Sequence, residues 1–289
     1  MIKFPFKLFS GSDEFPVHLQ YGFHEKDDCY LHGHEDFSEL VIILDGSAQH
    51  IVNSQQYEVS KGDVFVINQF TEHSFMKAEH LKICNIMFRP DDVFANVYDM
   101  KKIPGFQALF VLEPHYSQNY YFCSQLRLSA GEFPAVENMI TEMMNHYSKK
   151  DTGWKDLVFS EFSLLCIMLS KLYRTDRISP GNELLKLADA AAYIENNYCS
   201  SITTEELARM TGYSERQFLR LFKAAFSAAP KLYIASLRIK KAQQLLRSTE
   251  MSIGEIAWSC GYDDHNYFSR IFKKHTGMTP SEYLRLVRK

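Results

Sequence analysis

His32 and His34 stand one residue apart, with Glu39 and Gly46 following in the run HGHEDFSELVIILDG. On an extended strand the two imidazoles share a face, because side chains alternate with a period of two. A strand returning after Gly62 can bring His73 to the same place, as neighbouring strands of a small barrel do. Three imidazoles and one carboxylate are a donor set for zinc, iron, manganese or nickel. The same groups can hydrogen-bond a polyhydroxylated ligand with no ion present, with Phe37, Tyr57 and Phe75 as stacking faces. They can also be satisfied histidines of a strand-rich core. Contact with a small polar ligand, such as a sugar, through His32, His34, Glu39 and His73 is one of the three readings that the residues leave open. No cofactor and no catalytic residue is expected. An ion on those four groups, and with it a metal-dependent enzyme, is another.

A second constellation lies near the carboxyl end. LARMTGYSERQFLRLFK at 207–223 and IAWSCGYDDHNYFSRIFKK at 256–274 repeat one pattern with a period of about 50 residues. Each has an aliphatic-Ala pair, Gly-Tyr after three residues, a polar capping residue, and a helix ending in Arg-aliphatic-Phe-Lys. Gly212 and Gly261 suit the tight connection of a helix-turn-helix. In the first repeat Phe218, Leu221 and Phe222 are expected inside, leaving Arg216, Gln217, Leu219, Arg220 and Lys223 outward. In the second, Tyr267, Ile271 and Phe272 are expected inside, with Asp264, His265, Asn266, Ser269, Arg270 and Lys273 outward. Arg reads guanine edges bidentately, Asn reads adenine, and Lys or Ser anchors phosphates. The plain alternative for each position is a solvated helix face.

Charge separates the two constellations. Residues 184–289 hold 16 Lys+Arg against 10 Asp+Glu, a net of +6, whereas residues 1–183 hold 16 against 25, a net of -9. A cationic tail suits a nucleic-acid partner. A chain of 289 residues is comfortable for two domains, given the usual size of about 100 to 200 residues each. With 46% hydrophobic and 23% charged residues it has enough apolar side chains for two cores, and disorder is not expected.

Short β-rich runs fill Tyr30 to about Arg89: LVIIL, QHIVN, YEVS, VFVIN and LKICNIMF, with Asp45-Gly46 and Lys61-Gly62-Asp63 as turns between them. Past Phe133 the period changes. Val136, Ile140 and Met143, then Val158, Phe162, Leu165 and Leu169, recur at helical spacing around the break Asp151-Thr152-Gly153. This predicts two antiparallel helices, whose wide stripes leave packing on the barrel and dimerisation both open. RTDRISPGNE at 174–183 reads as a linker. Beyond it, Thr203-x-x-Glu206, Ser214-x-x-Gln217, Ser252-x-x-Glu255 and Thr279-x-x-Glu282 have the capping-box form. A helix from Pro230 to Arg247 joins the repeats as a rigid spacer. Two second helices held roughly 34 Å apart would enter successive major grooves.

Six scattered cysteines (Cys29, Cys84, Cys123, Cys166, Cys199, Cys260) without CxxC pairing are read as reduced thiols. No apolar run reaches the roughly 18 residues of a membrane span, and residues 1–20 lack the apolar core of a secretion signal. The chain is therefore expected in the cytoplasm with no membrane partner. Phe4, Phe6 and Phe9 in the first segment leave open whether it folds over the pocket or stays free.

The run GYDDHNYFSRIFKKHTGMTPSEY at 261–283 resembles the AraC/XylS family of bacterial transcription regulators over about 100 residues. The resemblance implies two helix-turn-helix units joined by a linker helix, with double-stranded promoter DNA contacted by the outward residues named above. It also implies RNA polymerase as a partner and a homodimer. Ser227 departs from the pattern, since the family usually has glycine there. His32, His34, Glu39 and Gly46 resemble the first cupin motif. Its second motif is partial: Gly62 and His73 fit, but Asn68 and Phe70 stand where Pro and Gly would be. The order ELVIILDG, KGDVFVIN, HSF and IPGF is most similar to the rhamnose-responsive activators of the family, and Arg216, Arg220, Asp264 and Asn266 match that subgroup's groove-facing positions.

The expected architecture is thus α+β. A cupin-like effector-binding and dimerisation domain occupies residues 1–177, with a β-barrel over about 20–130 and a helix pair over about 133–174. An all-α double helix-turn-helix domain follows over 178–289. The expected function is regulation, as an activator, of genes for carbohydrate uptake or catabolism.

Overall fold

A computed structural model describes residues 2–26, 30–69, 71–113, 126–173 and 183–288. These group into two compact units that divide between Ala188 and Asp189. The expected linker at 174–183 lies outside the described residues except for Glu183, and Cys29, Phe70 and Cys123 also lie outside them.

The first unit is rich in strands: β1 (Lys3–Phe4), β2 (Val17–Lys26), β3 (Gly33–His34), β4 (Ser38–Val52), β5 (Gln55–Ser60), β6 (Asp63–Ile67), β7 (His73–Phe88) and β8 (Leu126–Arg127). The main sheet runs β2-β7-β4-β6-β8, with β5 also on β4, while β1 pairs in parallel with β3. Among the described residues the hydrogen-bonded path ends at β2 and β8 without closing. The short helices α1 (Lys7–Ser10), α2 (Pro90–Val93) and α3 (Pro104–Phe106) sit in connections, and α4 (Phe133–Lys149) and α5 (Trp154–Leu172) form the expected pair.

One expected turn is absent. Asp45-Gly46 does not separate two strands; LVIIL and QHIVN belong to one continuous β4. Gly46 has φ +74, and a Cβ there would meet the carbonyl oxygens of His80 and Glu79 at 2.3 and 2.4 Å. The β4–β7 register slips between Ile43 and Gln49. Glycine therefore makes a bulge that bends a long strand, rather than a hairpin. The bend lets Glu39–Ile42 pair with β6 and Ser47–Val52 pair with β5. Lys61-Gly62 does make the β5–β6 turn, with Gly62 at φ +91.

Alternation along the bent strands defines two apolar layers. Val41, Ile43, Phe65, Phe75 and Ile83 form an inner cluster. On the other side Phe88 meets Phe162 of α5 at 5.3 Å between ring centroids. Val136, Ile140 and Met143 of α4 and Val158, Phe162, Leu165 and Leu169 of α5 are buried within this unit. Burying each such side chain stabilises by about 1.5–3 kcal/mol. The inner stripes of the helix pair are thus used by the unit's own core. Leu157 and Leu164 of α5 remain exposed.

The second unit is helical: α6 (Glu183–Asn197), which spans the division, then α7 (Thr204–Thr211), α8 (Glu215–Phe226), α9 (Pro230–Ser248), α10 (Ile253–Ser259), α11 (His265–Thr276) and α12 (Pro280–Val287). The hydroxyl oxygens of Thr203, Ser214, Ser252 and Thr279 each accept a hydrogen bond from an amide in the first turn of the following helix. The reciprocal bond of a full capping box forms at Ser252–Glu255 and Thr279–Glu282. At Thr203 the Glu206 carboxylate instead accepts from the Tyr193 hydroxyl at 2.6 Å, a stronger charge-assisted bond.

The linker helix α9 is more than a spacer. Arg238 at its middle donates to three carbonyls: Tyr198 at 2.5 Å, Ser200 at 2.8 Å and Gly261 at 2.7 Å. Gly261 has φ +82, and a Cβ there would meet the Cys199 carbonyl oxygen at 2.2 Å. The end of α6, the middle of α9 and the turn between α10 and α11 are therefore tied at one point. No helix among the described residues is long and apolar enough to cross a membrane.

Ser227 ends α8 in the left-handed region at φ +55, and Gly277 ends α11 at φ +80, fifty residues later in the repeat. Left-handed backbone costs an L-residue roughly 1–2 kcal/mol, partly offset by the unfolded-state freedom of glycine. Ser227→Gly is expected to raise unfolding stability by about 0.5–1 kcal/mol and Gly277→Ala to lower it by a similar amount. Urea unfolding of the two variants checks this; a destabilised Ser227→Gly contradicts it.

Candidate functional sites

In the first repeat α7 and α8 meet at Gly212, which has φ +70. Phe218, Leu221, Phe222 and Ala225 of α8 are buried. The opposite face carries exposed Arg216, Arg220 and Lys223 at i, i+4 and i+7, with Leu219 beside them and Gln217 half-buried. In the second repeat Asn266, Arg270 and Lys273 of α11 are exposed at the same spacing, with Ser269 half-buried and His265 exposed at the helix start. Phe218 and Phe268 superpose at a shift of 50, so Arg216 answers to Asn266, Arg220 to Arg270 and Lys223 to Lys273. Both stripes are cationic and free of apolar cover, which suits phosphate anchoring and base-edge contact from one helix face.

The inner face of α11 differs from the expected one. Phe268 and Phe272 are buried, Ile271 is half-buried, and Tyr267 is 48% exposed. The reason is one extra residue in the second turn: Gly212 and Gly261 are 49 apart, whereas Phe218 and Phe268 are 50 apart. Counting from the glycine shifts the helix register by one. Tyr267 is therefore the counterpart of Gln217 and joins the outward set. Arg270 lies over its ring at 5.8 Å. Asp264 is outward but occupied: its carboxylate accepts from the Asn266 amide at 2.8 Å and the Tyr267 amide at 3.1 Å, as the cap of α11. The Tyr267 and Asn266 amides hold its carboxyl below the usual carboxylate range.

In the first unit the four residues singled out by spacing converge. His32 and His73 exchange backbone hydrogen bonds of 3.1 and 2.9 Å, setting their side chains together. His73 Nε2 lies 3.4 Å from His34 Nε2 and 3.4 Å from Glu39 Oε2, and His34 Nε2 lies 3.8 Å from Glu39 Oε2. His34, Glu39 and His73 are 1–2% exposed, so the cluster sits inside the unit rather than at an open mouth. The first segment closes it. Parallel pairing puts Phe4 against His34, the Phe4 ring lies 5.3 Å from His32, and the Phe6 amide donates to Asp36.

Spacing alone missed His50. It is fully buried, stacks between Phe65 at 4.5 Å and Phe75 at 4.7 Å, and brings Nε2 within 3.4 Å of His73 Nδ1. Ala48, His50 and Val52 are alternately buried along β4, so the period of two was the signal that pointed His50 inward. Burial pushes the Glu39 carboxyl up to about 8 and the His34 and His50 imidazoles down to about 3. Burial, reinforced by the neighbouring imidazoles, puts His73 well below its ordinary value. The cluster is thus a set of uncharged lone-pair donors near neutral pH. The donor atoms of His32, His34 and His73 all lie within 4.8 Å of one another, so these three residues are able to close on a single ion.

Comparison with known proteins bears on both units. Residues 21–133 match an AraC-like ligand binding domain, and residues 207–286 match a helix-turn-helix domain. A solved transcriptional regulator of the AraC-type DNA-binding group from Chromobacterium violaceum is 34% identical, covering 36% of this chain and 93% of that one with a TM-score of 0.34. The HTH-type transcriptional activator RhaR of Enterobacter sp. (strain 638) is 30% identical over 259 residues, covering 89% of this chain and 88% of its own. A protein of the same description from Salmonella dublin is 29% identical over 256 residues, covering 88% and 86%. With both units matched and a relative aligned over nearly its whole length, the chain belongs to the AraC family of transcription regulators, as a DNA-binding helix-turn-helix protein with a ligand-binding domain.

The corrected register of α11 has a direct consequence for stability. Phe268→Ala removes a fully buried ring and is expected to cost about 3–5 kcal/mol, whereas Tyr267→Ala should cost less than 1 kcal/mol, as surface substitutions do. Denaturant titration of the two variants distinguishes this register from the one counted from Gly261.

Proposed function

We propose that this protein is a one-component activator of genes for carbohydrate uptake or catabolism, acting in the cytoplasm on promoter DNA. The observation that carries the reading is the matched pair of outward stripes, Arg216–Arg220–Lys223 and Asn266–Arg270–Lys273, each on the second helix of a helix-turn-helix. Arg216, Arg220, Asn266 and Arg270 reach base edges; Gln217, Leu219, Tyr267 and Ser269 border them; Lys223, His265 and Lys273 hold phosphates; Asp264 sets the start of α11. A small polar effector, such as a sugar, binds in the sheet unit. Its preference for one of two states shifts the population competent on DNA. The relatives named HTH-type transcriptional activator RhaR support the activator role, and the resemblance of the sequence to rhamnose-responsive activators supports the sugar class.

The unit performs sensing rather than catalysis. A homodimer forms through the face of α5 that carries exposed Leu157 and Leu164, and RNA polymerase is the partner recruited at the promoter.

DNA affinity measured at several salt concentrations tests the reading. Arg220→Ala should lose about 1–3 kcal/mol of discrimination between a target and a scrambled site, whereas Lys223→Ala should weaken both alike and reduce the salt slope by about one. Unchanged binding in both variants removes α8 as a recognition helix. A thermal-shift screen of sugars and sugar acids, L-rhamnose included, tests the effector class, since a ligand of the folded state raises the midpoint. A flat response across the panel sinks the sugar reading and leaves the DNA reading standing.

A further inference from the structure

The helical unit holds two free thiols, Cys199 and Cys260, and neither belongs to the outward stripes. They are far apart in the chain and beside one another in the fold. Two contacts, one on each side of Cys260, bring this about. Lys241 Nζ lies 3.2 Å from Cys199 Sγ and donates at 3.2 Å to the carbonyl oxygen of Ser259, the residue before Cys260. On the other side, Gly261 passes so close to the Cys199 carbonyl that a Cβ there would run into it. The Arg238 guanidinium, bonded to the carbonyls of Tyr198, Ser200 and Gly261, holds the same two segments together.

The surroundings of the two sulfurs give them different roles. Cys199 is half-buried in the turn after α6, with the Lys241 ammonium against its sulfur. Cysteines that react with oxidants stand beside cationic groups, within reach of solvent and next to a second thiol. Cys260 is fully buried, in the apolar cluster that contains Ile239, Phe268 and Phe272. Burial, with the neighbouring Cys199 sulfur adding to it, pushes its thiol up to about 11. It therefore keeps its proton near neutral pH and is the shielded member of the pair.

We propose that Cys199 is a site of oxidation by hydroperoxides, and that Cys260 resolves it to a disulfide joining the end of α6 to the turn before α11. In the first step the Cys199 sulfur attacks one peroxide oxygen. The S–O bond forms, the O–O bond breaks, and the other oxygen leaves as water or an alcohol with the thiol proton. In the second step the Cys260 sulfur attacks the Cys199 sulfenic acid. The S–S bond forms, the S–O bond breaks, and hydroxide leaves as water with the Cys260 proton. Two electrons pass from the pair of thiols to the peroxide, and the Lys241 ammonium ends as it began.

The bond has a consequence for DNA. Cys260 shares its cluster with Phe268 and Phe272, the rings that seat α11. Drawing its sulfur toward Cys199 takes it out of a close-packed core, which disturbs the seat of the Asn266–Arg270–Lys273 stripe. This consequence rests on the DNA-binding reading; the bond itself does not.

The test uses the full chain, reduced and freed of reductant, then treated with hydrogen peroxide, quenched with catalase and alkylated with N-ethylmaleimide. Peptide mapping without reductant should show Cys199 and Cys260 in one linked peptide, which dithiothreitol separates by thiol–disulfide exchange. Affinity for a duplex selected from a random library should fall about tenfold on oxidation and return on reduction. Cys199→Ser, a change at a half-buried position, should form no such link and keep its DNA affinity under peroxide. Lys241→Gln should form the link more slowly at neutral pH, since the ammonium beside the sulfur is gone. Sulfenic or sulfinic acid on Cys199 with no linked peptide overturns the pairing, and so does a link from either thiol to another chain or to a cysteine of the first unit. A Cys199–Cys260 link that leaves DNA affinity unchanged overturns the coupling to α11. A chain that binds no selected duplex in either state sinks the regulator reading and leaves the bond to the peptide map, which reads it alone.

Discussion

The antiparallel ladder between β4 and β7 is the constraint on which the sheet unit is built. It runs from Ser38–Phe88 to Val52–His73 and is continued past the bulge only because Gly46 takes a backbone conformation that a side chain would block. Glu39 stands near one end of this ladder and His50 near the other, and His73 closes it. Their approach therefore depends on the bend: on a flat ladder, residues eleven apart on one strand would be separated by roughly 35 Å at about 3.3 Å per residue. Curvature turns distant positions into neighbours, and alternation decides which side chains meet inside.

The helical unit solves the same positioning problem by clamping a rod. Arg238 spends its guanidinium on three backbone carbonyls, and Lys241 on the same helix donates to Cys199 Sγ and the Ser259 carbonyl, each at 3.2 Å. These bonds fix α9 against the turn that precedes α11. A guanidinium suits this role because its planar fork supplies several donors at set angles. The phenyl pairs Phe218–Phe222 and Phe268–Phe272, at 5.5 and 5.7 Å, then hold each second helix on its unit with the cationic stripe outward.

Much of this was legible in the sequence because it depends on local rules. Capping residues announced the helix starts, the repeat announced two equivalent units, and the spacing of His32, His34, Glu39 and His73 announced their meeting. What was not legible depends on counting and on long-range contact. The Asp45-Gly46 dipeptide carries the same local signal for a turn and for a bulge, and only the neighbouring carbonyls of Glu79 and His80 decide between them. Tyr267 was misplaced because an inserted residue in a turn leaves the composition of a motif intact while rotating the helix after it. His50 lay outside any motif. Whether the cluster is open or closed depends on the first segment, whose docking rests on partners about thirty residues away.

The extra residue in the second turn also bears on symmetry. The two repeats share a frame but no longer share chemistry: Arg216 faces Asn266, Gln217 faces Tyr267, and Glu215 faces His265 across the duplication. A guanidinium and a carboxamide favour different bases. On the proposed reading the two helices favour different bases, which gives the target polarity: the same two half-sites in reversed order are a different site.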